Sequence, residues 1–432
     1  MSNNEKSIAR NRWLIAIMGT LLQMALGTVY AWSFFQQPIM NLGGWSNSQV
    51  AWAFSLAILF LGLSAAWGGI NLPRYGPRKL AISGGVLFGL SYIIAGVALG
   101  AKSLALLYIG YGVIGGIGLG LGYVTPVATV AKWFPDKKGL ITGMVVMGFG
   151  FGAMVMAKLV APVLLDFTSG NLVVVFYYIG TIMLLVTSGA GYFLVNPPAG
   201  FMNSEIISNG SSTGTKSLET ASAKECILSN KFIMMWIIFF CNITAGIMFI
   251  GFQSPLLQDL MKKGMSATMI TEPVVISNLA GAGATLIALS SVFNGLGRFF
   301  WGGLSDRIGR LQTFRIILAS QIVVLISLLF VDNPMIFSVL VCYILLCYGG
   351  GFGTMPSFVM DVFGNKLMAI VYGAVLTAWG IAGVIGPQIV AALKDWFAAQ
   401  ASTYTFIVAA GLLTVGLLVS LFMNNEKFSN NK

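Results

Sequence analysis

Twelve long apolar segments constrain this chain more than any other feature of its sequence. Each has about 20 residues or more, the length that an α-helix needs to cross a hydrocarbon core. Because lipid offers the backbone no hydrogen-bond partners, segments of this kind are expected to be helical. Numbered 1 to 12, the segments lie near residues 13–36, 48–71, 79–100, 103–131, 139–162, 172–195, 231–258, 275–304, 312–331, 335–361, 367–391 and 402–423.

The composition agrees with a membrane protein. Apolar residues make up 57% of the chain and charged residues 9%, whereas a soluble domain has about 25% charged residues. The net charge of +11 is located in short loops between the segments. It therefore orients the chain in a bilayer and implies no nucleic acid partner. We predict an all-α, polytopic protein with twelve transmembrane helices.

The segments fall into two sets of six. Residues 1–195 are predicted to form one bundle and residues 231–432 a second, joined by the polar linker 196–230. The linker is rich in Ser, Thr, Gly and Glu, so we expect it to be flexible.

The two sets repeat each other in sequence. Pro126 lies 230 residues before Pro356 within similar stretches, and Arg74 lies 233 residues before Arg307 in similar loops. Parallel repeats of this kind predict a substrate cavity between the bundles, near the middle of the membrane.

Lysine and arginine predict the orientation. With both termini in the cytoplasm, eighteen of the 24 basic residues lie on the cytoplasmic side and four on the opposite side. This follows the positive-inside rule. We expect a bacterial-type plasma membrane as the location. The remaining two basic residues, Lys158 and Arg298, lie inside segments.

Arg298 is the strongest candidate for a functional residue. Asn294 lies one helical turn before it on the same face, and Asp306 is eight residues later, about 12 Å along a helix. An arginine inside a bilayer costs about 2.5–3.5 kcal/mol on insertion scales, and such residues usually face a wet cavity. The alternative is that the side chain snorkels to the headgroups. We favour an anion site, because a guanidinium suits a carboxylate.

Several other chemistries are excluded or disfavoured. The chain has no histidine, and its four cysteines lack paired metal-ligand spacing. The G-x-G-x-x-G pattern at 110–115 lies inside an apolar segment with no preceding strand, so dinucleotide binding is not expected. No nucleophile–base pair is visible. We expect no cofactor, no metal and no enzymatic activity.

A loop motif, G-x-x-x-D-R-x-G-R, follows segment 8 as Gly302, Asp306, Arg307, Gly309 and Arg310. On this motif and the repeat, the chain resembles the major facilitator superfamily, which implies two six-helix bundles and transport by alternating access. The resemblance implies gating roles for Asp306, Arg307, Arg310 and the matching Arg74. In the first half Pro73 replaces the aspartate of the motif.

Within the superfamily the chain resembles the oxalate:formate antiporter family, which is related to the monocarboxylate transporters. The motifs that carry this resemblance are TVYAWS (28–33), GLGYVTPV (120–127), KWFPDKKGL (132–140), NGLGR (294–298), YGGGFGTMPS (348–357) and LTAWG (376–380). Monocarboxylate transporters have an acid at the position of Asn294, which cannot titrate. The oxalate transporter has a lysine at the position of Trp379. With Arg298 as one cavity cation, the resemblance favours a monocarboxylate such as lactate, pyruvate or formate over oxalate.

Aromatic residues complete the predicted substrate site. The Tyr123 hydroxyl is a candidate donor to the substrate, with interhelical packing as an equal alternative. Asn294 either contacts the substrate, orients Arg298 or bonds a neighbouring helix. The predicted cavity walls, each also explicable by packing, are Tyr30, Trp32, Tyr348 and Phe352.

The sequence constrains less tightly how transport is coupled to protons or to a second anion. Lys158 either attracts anions into the cavity or snorkels outward. The acids nearest to the segments' interiors are Asp361, Asp259 and Glu272, all close to segment ends. Proton symport would use one of them or the substrate carboxylate, and exchange of two anions is equally open. We therefore predict a secondary transporter, with an exporter of unrelated molecules or a carboxylate receptor as alternatives.

Overall fold

The computed structural model describes residues 11–134, 138–198, 222–397 and 400–424. Within these ranges, twelve helices are long and apolar enough to cross a membrane, as predicted. We label them α1 to α12 in chain order: Arg12–Gln36, Ser48–Tyr75, Pro77–Gly100, Leu104–Trp133, Gly139–Phe167, Leu172–Tyr192, Asn230–Lys262, Val274–Ile308, Arg310–Leu328, Pro334–Phe363, Met368–Val390 and Ala401–Phe422. Because their number is even, α1 begins and α12 ends on one side of the bundle. We call it the termini side and the opposite side the far side.

Local sequence signals set the helix ends. Ser46 and Gln49 form a reciprocal capping box at the start of α2, and the Asn333 side chain accepts two backbone N–H groups at the start of α10. At the other ends of α2 and α8, Gly76 has φ of 77° and Gly309 has φ of 89°. The same left-handed break therefore follows the second helix of each half.

Four spans contain irregular turns that the sequence did not predict, and one of them, α11, is interrupted at Leu376 between Met368–Val375 and Thr377–Phe397. In α1, Gly27–Ala31 forms a 3₁₀ segment, while α4 and α5 contain the π-helical segments Tyr108–Ile114 and Met156–Val160. A Cβ atom on Gly27 would overlap the carbonyl group of Phe149. The absent side chain therefore lets the irregular part of α1 lie directly against α5.

The most extensive contacts between the two halves are those of α5 with α8 and of α2 with α11. Glycines bring these backbones together. A Cβ on Gly143 would lie 2.6 Å from the carbonyl oxygen of Arg298, and one on Gly62 would lie 2.8 Å from the Cα of Gly380. Small residues of this kind allow close packing in a membrane, where the hydrophobic effect does not drive helices together.

The predicted linker, 196–230, lies mainly outside the described residues. Its last part contains a short helix, Ala223–Ile227, capped by Ser222 and in contact with the termini-side part of α11. A second short helix, Ala267–Ile270, precedes α8 on the far side.

Gly309→Ala should lower the stability of the protein. Its φ of 89° and ψ of 149° suit glycine and strain any residue with a Cβ, at a cost of about 1–3 kcal/mol. Gly189→Ala is the matched control, because no atom lies within 4 Å of the added Cβ. Thermal unfolding in detergent should show a lower Tm for Gly309→Ala and little change for the control. Equal Tm values for the two variants would contradict this account.

Candidate functional site

Arg298 is fully buried in α8, with 0% of its surface exposed. Its Nε donates to Oδ1 of Asn294 at 3.2 Å, and its Nη1 donates to the carbonyl oxygen of Val146, in the other half, at 3.1 Å. Nη2 has no hydrogen-bond partner. Among the described residues no carboxylate pairs with Arg298. The guanidinium thus does not reach the protein surface, and no carboxylate in the described part of the chain neutralises it.

Two phenylalanines hold the guanidinium between the halves. Its Cζ lies 5.1 Å from the ring centroid of Phe149 on α5 and 4.6 Å from that of Phe352 on α10. Cation–π contacts in a desolvated setting contribute about 2 kcal/mol each. These rings therefore offset part of the cost of burying the charge, and they leave Nη2 free to bind an anion.

Further aromatic rings complete the enclosure. The Trp379 ring centroid lies 5.1 Å from that of Tyr123 and 4.6 Å from that of Phe352. The hydroxyls of Tyr30 and Tyr348, one from each half, are 2.5 Å apart. We call the whole group the cage, and it consists of Tyr30, Tyr123, Phe149, Arg298, Tyr348, Phe352 and Trp379.

Most members of the cage lie at one depth, while Tyr30 and Tyr348 lie closer to the far side. Five of them are ten or eleven residues from the termini-side end of their helix, about 15 Å at 1.5 Å per residue. A hydrocarbon core is about 30 Å thick, so a membrane that begins near these helix ends would hold the five residues well inside it. Those five, from five different helices, are Tyr123, Phe149, Arg298, Phe352 and Trp379.

Unpaired donors face each other in the cage. The Tyr123 hydroxyl lies beside Arg298 and the hydroxyl of Tyr372 on α11, close enough to interact with both, but it forms a well-aligned hydrogen bond with neither. The Tyr372 hydroxyl and Nε1 of Trp379 are also unpaired, and all three residues are fully buried. Buried donors without partners are rare in folded proteins and mark a place where a ligand can bind.

Tyr372, Phe149 and Val146 belong to the site but were not predicted from the sequence. Tyr372 lies seven residues before Trp379, so the two share one face of α11. The seven-residue spacing to Trp379 could therefore have identified Tyr372 as a site residue from the sequence. Val146 contributes a backbone carbonyl, and its sequence gives no indication of this role.

Some predicted residues lie away from the cage. The Trp32 ring packs at a tilt against Tyr111 of α4, with ring centroids 4.3 Å apart. Together with Tyr30 it also lines a pocket between the halves on the far side. Lys158 is exposed in the π-helical segment of α5. Asp259 and Glu272 are exposed near the far-side ends of α7 and α8.

The predicted gating residues lie on the termini side. Arg310 pairs with Asp306 at 2.6 Å and with Asp361 at 2.9 Å. The backbone N–H of Leu140, in the other half, donates to Oδ2 of Asp306 at 3.1 Å. The network thus closes the halves against each other. By contrast, Arg307 and Arg74 are exposed, and the Arg74 guanidinium lies over the ring of Tyr75.

Comparison with known proteins gives a consistent assignment. The family model of the Major Facilitator Superfamily matches residues 13–387. The chain is 26% identical to the oxalate:formate antiporter of Oxalobacter formigenes, over 90% of this chain and 86% of that protein. It is 28% identical to the apicoplast pyruvate carrier 1 of Toxoplasma gondii, over 76% of this chain and 66% of that protein.

A solved structure shares the fold. The proton:xylose symporter bound to 6-bromo-6-deoxy-D-glucose superposes with a TM-score of 0.69, covering 95% of each chain at 14% identity. At this identity the likeness concerns the fold alone.

Arg310→Ala should loosen the termini-side closure, because Arg310 holds the carboxylate that accepts from Leu140. Ser357 serves as a reporter, since its hydroxyl is buried and lies 3.2 Å from that of Thr142 in the other half. In a Cys226→Ser background, a thiol reagent should modify Ser357→Cys severalfold faster when Arg310→Ala is added. Arg307→Ala, which removes the same charge from an exposed side chain, should leave the rate unchanged. Equal rates in the two variants would show that the network does not close this side.

Proposed function

This chain belongs to the Major Facilitator Superfamily, and from that premise we propose that it is a secondary transporter of small monocarboxylate anions. The observation that carries the proposal is the buried, acid-free guanidinium of Arg298 in the cage. A charge at this depth is costly, and an anionic substrate supplies the partner that the described residues do not. Planar donors on a guanidinium match the geometry of a carboxylate.

The position of the cage suits alternating access. Its members come from both halves, and Arg298 itself donates across the interface to Val146. A rocking motion of one half against the other would therefore change the surroundings of a bound anion directly. The termini-side network and the far-side hydroxyl pair of Tyr30 and Tyr348 are the contacts that such a motion would break in turn.

The charge of the cage favours a monoanion. Arg298 is its one cation, and Trp379 occupies the place where a second positive charge would be needed for a dianion. Similarity to an antiporter for oxalate and formate and to a pyruvate carrier supports small carboxylates as the substrate class. An exporter of cationic molecules is less suitable, because the cage contains no acid.

Two coupling modes fit this arrangement, and we favour symport with a proton. A bound carboxylate neutralises Arg298, and a proton taken up with it makes the load neutral overall. Asp361 is engaged by Arg310 and Asp259 and Glu272 lie far from the cage, so the substrate carboxylate is the better proton carrier. Exchange of two monoanions is the second candidate, because it needs no protein acid at the site.

For the location we propose a plasma membrane with both termini in the cytoplasm. The count of eighteen basic residues against four on the opposite side supports this orientation. Under it, the termini side is cytoplasmic and the far side is external.

Proteoliposomes test the proposal directly. Uptake of labelled pyruvate, lactate and formate should be measured with an imposed pH gradient and, separately, with unlabelled anion loaded inside. Stimulation by the gradient alone indicates symport, and stimulation by internal anion alone indicates exchange. Absence of uptake for every monocarboxylate under both conditions would refute the proposed function.

Arg298→Ala should abolish this uptake, because it removes the charge that binds the carboxylate. Arg298→Lys should retain part of it, since the charge remains without the planar fork. Lys263→Gln is the control; it removes a positive charge from an exposed ion pair with Asp332, and uptake should be unchanged. Size-exclusion profiles and Tm values must show that all variants fold. Normal uptake by folded Arg298→Ala would refute the claim that Arg298 binds the substrate carboxylate.

Oxalate should compete poorly with a labelled monoanion, because its second carboxylate would enter the cage without a cation. The measurement is the concentration of each unlabelled anion that halves uptake, with formate, lactate and pyruvate beside oxalate at one pH. We expect oxalate to need at least about tenfold more, which corresponds to about 1.4 kcal/mol. Oxalate competing as well as the best monoanion would overturn the assignment of a monoanion site.

A further inference from the structure

The far-side pocket lies between the halves and outside the cage. It is lined by α1 and α2 of the first half and by α7 and α11 of the second, and Tyr30 lies between it and Trp379. Its α7 lining begins at Ile250, four residues beyond Gly246, where an added Cβ would overlap the ring of Tyr348. The pocket therefore lies about one helical turn to the far side of the contact between Tyr30 and Tyr348. An anion that moves between the far side and the cage passes this place.

Two residues of the TVYAWS motif (28–33) that the cage does not use give the pocket hydrogen-bond donors. Trp32 and Ser33 both line it, and neither Nε1 of Trp32 nor Oγ of Ser33 has a hydrogen-bond partner. Trp32 is only 3% exposed, so its N–H is not simply facing bulk water. Buried polar groups in folded proteins are nearly always hydrogen-bonded. Two unpaired donors beside one pocket therefore point to a ligand that binds there.

The backbone of α1 brings the polar groups to one side of the helix. Tyr30 and Ser33 are three residues apart, and Trp32 and Gln36 are four apart, spacings that place side chains on the same face. Gln36 also lines the pocket, one turn beyond Trp32. This face of α1 thus carries polar groups in sequence from the far side towards Tyr30.

The lining is polar in part but neutral throughout. None of the ten residues that line the pocket is charged. An anion there meets N–H and O–H donors and no carboxylate that would repel it. Hydrogen bonds to an ion are about twice as strong as those between neutral groups, so such donors suffice to hold an anion. Because no cation lines the pocket, we expect binding to be much weaker than at Arg298.

We propose that the far-side pocket is a second, low-affinity site for the transported monocarboxylate, occupied on the way between the far side and the cage. Trp32 and Ser33 donate to the carboxylate oxygens at this site. The inference rests on the proposed function and adds a binding step to it. In this closed state the pocket has room for about one water molecule. The anion therefore enters as α1 and α7 move apart, before the Tyr30 hydroxyl leaves that of Tyr348.

The physical advantage of such a site is that it divides the cost of removing water from the anion. An ion that leaves water for a buried site loses free energy unless hydrogen bonds replace its hydration. Arg298 is fully buried and lies beyond the contact between Tyr30 and Tyr348. Direct transfer would remove water from the anion before any partner is reached. Donors in the pocket replace part of that hydration at an intermediate depth.

Protection of a cysteine in the pocket tests the inference on the purified full-length protein. Ala51 is partly buried and lines the pocket from α2, so Ala51→Cys in a Cys226→Ser background places a thiol there and keeps both donors. The probes are formate and pyruvate, with chloride keeping the ionic strength constant. The measurement is the concentration of each anion that halves the rate of reaction with a neutral maleimide. Thr268→Cys, exposed on the far side, is the control and should show no protection.

Arg298→Ala separates the pocket from the cage. Both anions should still protect Ala51→Cys in this variant, because the donors of the pocket remain. The half-protecting concentration should be at least about tenfold higher than with the cage intact, since protection then comes from neutral donors alone. Arg298→Gln is the second variant, for use if Arg298→Ala does not fold.

Removing the donors should remove this remaining protection. Trp32→Phe or Ser33→Ala, each added to Arg298→Ala, should raise the half-protecting concentration at least about fivefold, because a hydrogen bond to the anion is lost. The matched controls are Trp52→Phe, whose indole does not line the pocket, and Ser55→Ala, which removes a buried unpaired hydroxyl elsewhere on α2. Both controls should leave the protection unchanged.

The outcomes separate this inference from the proposed function. Absence of protection in the folded Arg298 variants overturns the second site, and so does unchanged protection in both Trp32→Phe and Ser33→Ala. In either case the proposed function stands, because it depends on uptake and on the cage. Absence of monocarboxylate uptake by the wild type in proteoliposomes counts against the proposed function itself.

Discussion

The buried guanidinium of Arg298 is the interaction on which the rest of this structure depends. A charge in the middle of a bilayer needs donors matched to acceptors, polarisable neighbours and distance from lipid. Here Asn294 and the Val146 carbonyl accept two of its donors, and the rings of Phe149 and Phe352 cover its faces. These partners come from both halves. The charge therefore also ties the halves together at the depth where a substrate would bind.

Glycine packing makes this arrangement possible. Where α5 and α8 cross, Gly143 and Gly150 of α5 leave no room for a Cβ atom against α8. The close approach brings the Val146 carbonyl within reach of the Arg298 side chain, which a larger residue would prevent. The same absence of side chains gives smooth contact surfaces. Helices that meet through backbone contacts can slide or tilt with little loss of interlocked side-chain packing, which suits two halves that must move.

Much of the fold could be predicted because the bilayer permits few solutions. Segments of about 20 apolar residues must be helices in order to cross the membrane. The sequence repeat then predicts that the second six helices form a bundle like that of the first six. Arg298 stood out for the same reason, as a charge where charges are costly. Trp32 illustrates the limit. The 3₁₀ segment Gly27–Ala31 advances the chain by about 120° per residue against 100° in an α-helix, an extra rotation of about 100° over five residues. Beyond it, the Trp32 ring packs against Tyr111 and lines the far-side pocket between the halves without joining the cage, a distinction that the sequence does not make.

The two routes to the cage are closed by contacts of different strength. On the termini side the closure combines ionic contacts, a backbone N–H bonded to a carboxylate and glycine-mediated helix packing. On the far side, the hydroxyls of Tyr30 and Tyr348 meet across the halves, and a neutral hydrogen bond contributes only about 1 kcal/mol net. Tyr30 lines the far-side pocket and also contacts Trp379 in the cage, so this side chain lies between the pocket and the rest of the cage. An anion arriving from the far side therefore meets the weaker barrier first. Tyr30 and Tyr348 are themselves members of the cage, so the contact that closes the far side is part of the site that it closes.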